Sequence, residues 1–182
     1  MKKAILERID FPNGIEFDII EGDIVIRKGE KEIVKSIKGK NIEVRKEENS
    51  LILESKKATK REKKIIMTIK AHINNIIKGL NEGYVYKLEI AYLHFPITVE
   101  VQKDKGIILI KNFLGEKKPR ISEIIPGAEV SVEKNIITVK SYDKEIAGQT
   151  AANIERATKI RNRDRRKFQD GIYIIEKAGR AI

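Results

Sequence analysis

Arg156–Lys177 reads RATKIRNRDRRKFQDGIYIIEK, and the parsing of this stretch decides the fold. Its first residues end a helical pattern of small side chains. Its middle is a run of seven cations: Arg156, Lys159, Arg161, Arg163, Arg165, Arg166 and Lys167. It closes at Asp170-Gly171 and enters an apolar strand, Ile172–Ile175. A cationic run tied to a helix on one side and a strand on the other is a positively charged surface of fixed shape, and such surfaces meet phosphate.

The same order of elements occurs earlier. From Ala58 to Leu80 the apolar positions are Ile65, Ile66, Ile69, Ile73, Ile76, Ile77 and Leu80, a helical spacing. Thr59 and Glu62 form a capping box at its start, and Gly83 is a left-handed stop at its end. Asn81-Glu82-Gly83-Tyr84-Val85-Tyr86 is then echoed by Gln169-Asp170-Gly171-Ile172-Tyr173-Ile174. Upstream of the first helix lie short alternating segments: Ile15–Ile19, Asp23–Ile26 and Lys31–Ile37. A hairpin, Ile42–Leu53, turns at Glu47–Ser50. Pro96–Val101, Ile107–Ile110 and the hairpin Val130–Val139 repeat them, and a helix over Ile146–Thr158 comes next.

The offset between the copies drifts from 83 at Ile24/Ile107 to 86 at Val44/Val130 and 88 at Gly83/Gly171, as loop insertions between two copies of one unit require. The expected fold is therefore α+β, with two duplicated domains. Each is a mainly antiparallel β-sheet packed against one long α-helix. The expected border lies near Tyr92–His94, giving domains 1–92 and 93–182. The second domain carries the cations. Its helix uses Ala147, Ala151, Ala152 and Ala157 where the first uses Ile, which lets it lie closer to its sheet.

Composition narrows the function. Net charge is +11 with 36% charged residues, so the excess is gathered in patches on a mixed surface. There is no Cys, which excludes disulfides and thiolate metal sites and fits a reducing compartment. The N-terminal MKKAILERIDF has no apolar core of signal length, and no run has the length of a membrane span. The expectation is a soluble, cytoplasmic protein.

Catalytic motifs are missing. The histidines are His72 and His94, and there is no HExxH and no Gly-rich phosphate loop. Both histidines read as structural or solvated. Asp164 and Asp170 sit among the cations, so they read as arginine partners or turn caps rather than metal ligands. No enzyme activity, metal, cofactor or small-molecule substrate is expected.

Binding chemistry is abundant. One cluster, Lys56, Lys57, Lys60, Arg61, Lys63 and Lys64, reads as a solvated helix start. A second, Lys111, Lys117, Lys118 and Arg120, surrounds Asn112-Phe113-Leu114-Gly115, with Gly115 and Pro119 stiffening the loop. The third is the opening stretch, whose arginines match phosphate through their planar forks. Aromatics make up 5% and fall mainly in strand patterns, so no exposed stacking platform is expected. A folded, largely double-stranded RNA, or a DNA backbone, suits such a surface.

Arg163-Asp164-Arg165-Arg166-Lys167-Phe168-Gln169-Asp170-Gly171-Ile172-Tyr173 resembles the C-terminal signature of the large-subunit ribosomal protein six family, in its archaeal and eukaryotic branch. Lys111-Asn112-Phe113-Leu114-Gly115-Glu116-Lys117 is similar to a second stretch of that branch, and the resemblance runs through essentially the whole chain. It implies two similar α+β domains and a structural role in the large ribosomal subunit. It implies binding to large-subunit rRNA near the sarcin–ricin loop and the base of the factor-binding stalk, beside neighbouring ribosomal proteins. Carried over, the RNA contacts would fall on Arg161, Arg163, Arg165, Arg166, Lys167 and the Asp170-Gly171 turn, with the loop holding Asn112, Gly115, Lys117 and Lys118 as a second, lesser candidate. The basic clusters themselves add Arg156, where the family carries Gln, together with Lys159 and Arg120. The alternative is a free nucleic-acid-binding or RNA-chaperone protein with the same patches.

Overall fold

The computed structural model describes residues 3–37, 39–164 and 166–182, so Arg165 lies outside the described residues. The chain forms two compact units, residues 1–82 and 83–182.

The first unit contains strands β1 (Lys3–Asp10), β2 (Glu16–Ile20), β3 (Asp23–Lys28), β4 (Lys31–Ser36), β5 (Glu43–Glu47) and β6 (Ser50–Ala58), then helix α1 (Lys60–Glu82). They make two antiparallel sheets, ordered β1-β6-β5 and β2-β3-β4. The helix lies on β1 and β6. Ile66 and Ile73 are fully buried with Leu51, Leu53, Ile24 and Ile26, so this core fills by side-chain volume.

The second unit contains β7 (Tyr84–Ala91), β8 (Thr98–Gln102), β9 (Ile107–Lys111), β10 (Arg120–Glu123), β11 (Glu129–Glu133) and β12 (Ile136–Ser141). Helix α2 (Lys144–Ala157), β13 (Gly171–Lys177) and β14 (Arg180–Ala181) complete it. Its sheets are β11-β12-β7-β13-β14 and β10-β9-β8. The order β11-β12-β7 repeats β5-β6-β1, and the register agrees: Ile9 stands opposite Leu51 as Leu88 stands opposite Ile137. The duplicated α+β architecture is therefore present. Each copy divides its strands between two sheets, where a single sheet was expected.

The border moves. β7 was expected to close the first copy, but it is hydrogen-bonded to β12 and β13, and so it opens the second. The division falls at Glu82/Gly83, where Gly83 has the expected left-handed backbone (φ 74°). The true counterpart of β7 is β1, which the alternation did not reveal. Inward-facing Ile5, Glu7 and Ile9 include a carboxylate, held 2.6 Å from Lys70 Nζ of α1, while Leu6 points outward. The apolar period is inverted at its centre.

The capping box forms as expected. The Thr59 backbone N–H donates to Glu62 Oε2 at 2.8 Å, the Thr59 hydroxyl also donates to that carboxylate, and Arg61 N–H donates to Thr59 Oγ1 at 3.2 Å. These bonds, the Thr59 hydroxyl foremost, hold the Glu62 carboxyl at about 2. In α2 the small residues do bring helix and sheet close. Ala147, Ala151 and Ile154 are fully buried, and a Cβ at Gly148 would sit 3.1 Å from the Tyr86 hydroxyl.

Candidate nucleic-acid interface

Helix α2 ends where its carbonyls find partners outside the helix. Arg120 of β10 donates through Nη1 to the Ala157 carbonyl at 2.9 Å and the Lys159 carbonyl at 3.3 Å. The first is a group a helix C-terminus leaves unpaired, and the second lies just past the helix end. The guanidinium is held for this by Glu116, at 2.8 Å and 2.6 Å, and lies 4.2 Å from the Phe113 ring centre. Hydrogen bonding to Arg120 keeps the Glu116 carboxyl below its usual range, and the charge of Arg163 adds to that. Two basic stretches that are separate in sequence thus meet at the end of α2. Arg120, expected to face RNA, is engaged within the fold and braces the junction.

The connection from α2 to β13 is irregular but locked. Asp164 caps it: its carbonyl accepts from Lys167 N–H and Phe168 N–H at 3.1 and 3.0 Å, and its carboxylate accepts from Arg166 N–H at 2.9 Å. The Arg166 guanidinium, 91% exposed, lies on the same carboxylate at 3.0 Å. Arg163 sits 4.9 Å from the Phe168 ring centre, and His94 stacks on Phe168 at 5.0 Å.

Asp170 anchors the far end. It is 1% exposed and accepts from Leu93 N–H at 2.9 Å, His94 N–H at 3.0 Å and the His94 ring Nδ1 at 2.6 Å. Burial pushes its carboxyl up, but the His94 and Leu93 hydrogen bonds outweigh burial and hold it at about 2. Thr158, also buried, accepts Ile172 N–H at 2.9 Å, tying helix end to strand start. Asp170 and Gly171, expected among the RNA contacts, are both buried, and the Asp170 carboxylate accepts three hydrogen bonds from its own chain. His94, read as structural, is Asp170's partner.

What remains outside is cationic. Arg156, Lys159, Arg161, Arg163, Arg166 and Lys167 are all exposed. In the second loop Asn112 adopts a left-handed backbone (φ 60°) and donates through Nδ2 to the Pro96 carbonyl at 3.0 Å. Gly115 (φ 77°) runs beneath the Phe95 ring, where a Cβ would come within 3.3 Å. Buried Phe113 pins this loop and leaves Lys117 and Lys118 exposed. Glu116, Asp164 and Asp170 are each engaged in holding the loops, and the exposed cations dominate the surface around them. Among the described residues no cluster of three or more potential metal ligands occurs. Nor is any described helix long and apolar enough to cross a membrane.

One expectation about aromatics fails. Tyr92 and Phe95 are each 44% exposed, beside Leu93 at 73%. The sequence pattern put Tyr92 at the end of a strand, but β7 stops at Ala91 and the next residues run over the surface.

A family model described as ribosomal protein L6 matches residues 95–171, a span holding both basic stretches. The large ribosomal subunit protein uL6 of Methanobrevibacter smithii is 41% identical over 96% of this chain and 97% of its own length. That of Methanococcus vannielii is 40% identical over 98% and 97%. The chain belongs to the L6 family of ribosomal proteins. A third member, uL6 of Aeropyrum pernix, is 42% identical over 95% of this chain and 94% of its own. The L6 family is structural and non-enzymatic, consistent with a site built of cations, caps and stacked rings rather than an acid–base pair.

Proposed function

We propose that this chain is a structural constituent of the large ribosomal subunit, and that it binds large-subunit rRNA through the α2–β13 connection. The observation that carries this reading is the division of labour in the second unit. Asp164, Asp170, Glu116 and Arg120 are occupied in holding the loops, while five exposed cations of the connection, and Arg156 in the last turn of α2, face outward. Those cations neutralise phosphates and release counterions, so affinity falls steeply with salt. Lys117 and Lys118 supply a lesser second contact. The position near the sarcin–ricin loop and the stalk base, with neighbouring ribosomal proteins, belongs to the same proposal. It rests on the family resemblance.

The test is co-sedimentation of a tagged chain with cellular ribosomes through a sucrose gradient, repeated after a high-salt wash. Residence in the large-subunit peak is expected. Recovery at the top of the gradient even at low salt would overturn the proposal in favour of a free nucleic-acid binder.

A further inference from the structure

The second unit has an open groove of about 750 Å³ beside the cationic connection, and the phosphate contacts do not account for it. Its walls include Tyr92, Leu93 and Tyr173, and Asn135 and Gln169 are also among its lining residues. Glu89 also lines it. The groove adjoins the cationic connection in two ways. Gln169 donates through Nε2 to the Arg166 carbonyl at 3.3 Å. Tyr173 lines both this groove and a cavity of about 330 Å³ that includes Arg156 and Lys159.

The lining chemistry selects a ligand group. Among the described residues a carboxylate and no cation line this groove, a lining that does not suit phosphate. The exposed Tyr92 and the half-buried Tyr173 offer rings for stacking, which any base accepts. Asn and Gln amides each carry donors and an acceptor, and Glu89 accepts from an exocyclic amino group. Such a set reads the edge of an unstacked base, and RNA presents such bases at loops and bulges. Tyr173 is fixed for this by its hydroxyl, which donates to the Gln169 carbonyl at 3.0 Å, and by its ring, which lies where a Cβ on Gly171 would approach within 2.9 Å.

We infer that this groove holds one extruded base of the bound RNA, stacked on Tyr92 and Tyr173 and hydrogen-bonded by Asn135 and Gln169. The flanking phosphates lie on the cationic connection. The inference rests on the RNA-binding reading above and adds that the target is a duplex interrupted by an unpaired nucleotide.

The test uses the full-length chain and deproteinised archaeal large-subunit rRNA, with filter binding at several salt concentrations and ultraviolet crosslinking read by mass spectrometry. Tyr92→Ala is expected to lower affinity about tenfold with the salt slope unchanged. Tyr92→Phe should keep the affinity, and a nucleotide should crosslink to Tyr92 or Tyr173. Wild-type affinity in Tyr92→Ala, while Arg161→Ala/Arg163→Ala/Arg166→Ala weakens binding, would overturn the base groove and leave the phosphate reading standing. No effect from the triple variant would overturn both. A crosslink from these tyrosines to another protein in intact subunits, with none to rRNA, would reassign the groove to a protein neighbour and overturn the inference.

Discussion

The two units share a topology and differ in the segment after the helix. In the first, α1 is 23 residues long and packs through isoleucines, and the unit ends with it at Glu82. In the second, α2 is 14 residues long and lies close to the sheet through Ala147 and Ala151. A cationic connection and β13 come after it, and β13 pairs with β7 on the side away from β12. The cations differ in the same way. The densest cluster of the first unit is Lys56, Lys57, Lys60, Arg61, Lys63 and Lys64, at the end of β6 and the first turn of α1, and Lys56 is paired with Glu43 at 3.2 Å. They are mostly lysines on regular structure. The cluster between α2 and β13 in the second unit is arginine-rich and sits on an irregular connection held by Asp164, Phe168, His94 and Asp170. Duplication supplied one scaffold twice, and the added segment turned one copy into a surface.

The contrast in cores gives the largest expected effects. Ile73→Ala should destabilise the first unit by about 3 kcal/mol, because the space left by a fully buried isoleucine does not collapse. Ala151→Leu should destabilise the second by about 2 kcal/mol through overpacking against the sheet. Denaturant unfolding measures both, and equal tolerance of the two changes would erase the contrast.

Asp170→Asn tests how the arm is held. It removes the charge from a buried acceptor of three hydrogen bonds and should cost about 2 kcal/mol. The wild-type carboxyl is lowered from 3.8 to about 2, so its contribution is complete above pH 3.8. That contribution is lost as pH falls through about 2. The variant's unfolding should lack this acid-dependent part, which a denaturation series between pH 5 and pH 2 detects. The smallest effect is expected at the α1 cap, where Thr59→Ala should cost about 1 kcal/mol, read by the same method.

Much of this was legible in the sequence because it is local. Helical period, the Thr59–Glu62 box, the Gly83 stop and both hairpins are patterns within a few residues. The misplaced border has a non-local cause. A glycine opening an apolar strand after a helix looks the same at Gly83 and Gly171, but the partners of β7 lie in β12 and β13, far along the chain. β1 was hidden because Glu7 faces inward on an ion pair with a helix dozens of residues away. At the site, the run of cations was visible, but not which of them the fold consumes. Nothing in Lys117-Lys118-Pro119-Arg120 marks Arg120 as the one whose guanidinium closes α2. Asp164, read as an arginine partner or turn cap, is both, because its partners lie within four residues, whereas Asp170 finds Leu93 and His94 more than seventy residues away.

The most direct measurement compares the two cationic regions in one assay. Affinity for deproteinised large-subunit rRNA is monitored against salt for two folded variants. One carries Arg161→Ala, Arg163→Ala and Arg166→Ala; the other carries Lys60→Ala, Lys63→Ala and Lys64→Ala. The log–log salt slope should fall by about 2 in the first variant, since each phosphate contact contributes roughly 0.7–0.9. It should stay near the wild-type value in the second. An unchanged slope in the first, or an equal fall in both, would contradict the claim that the connection in the second unit is the RNA-binding surface.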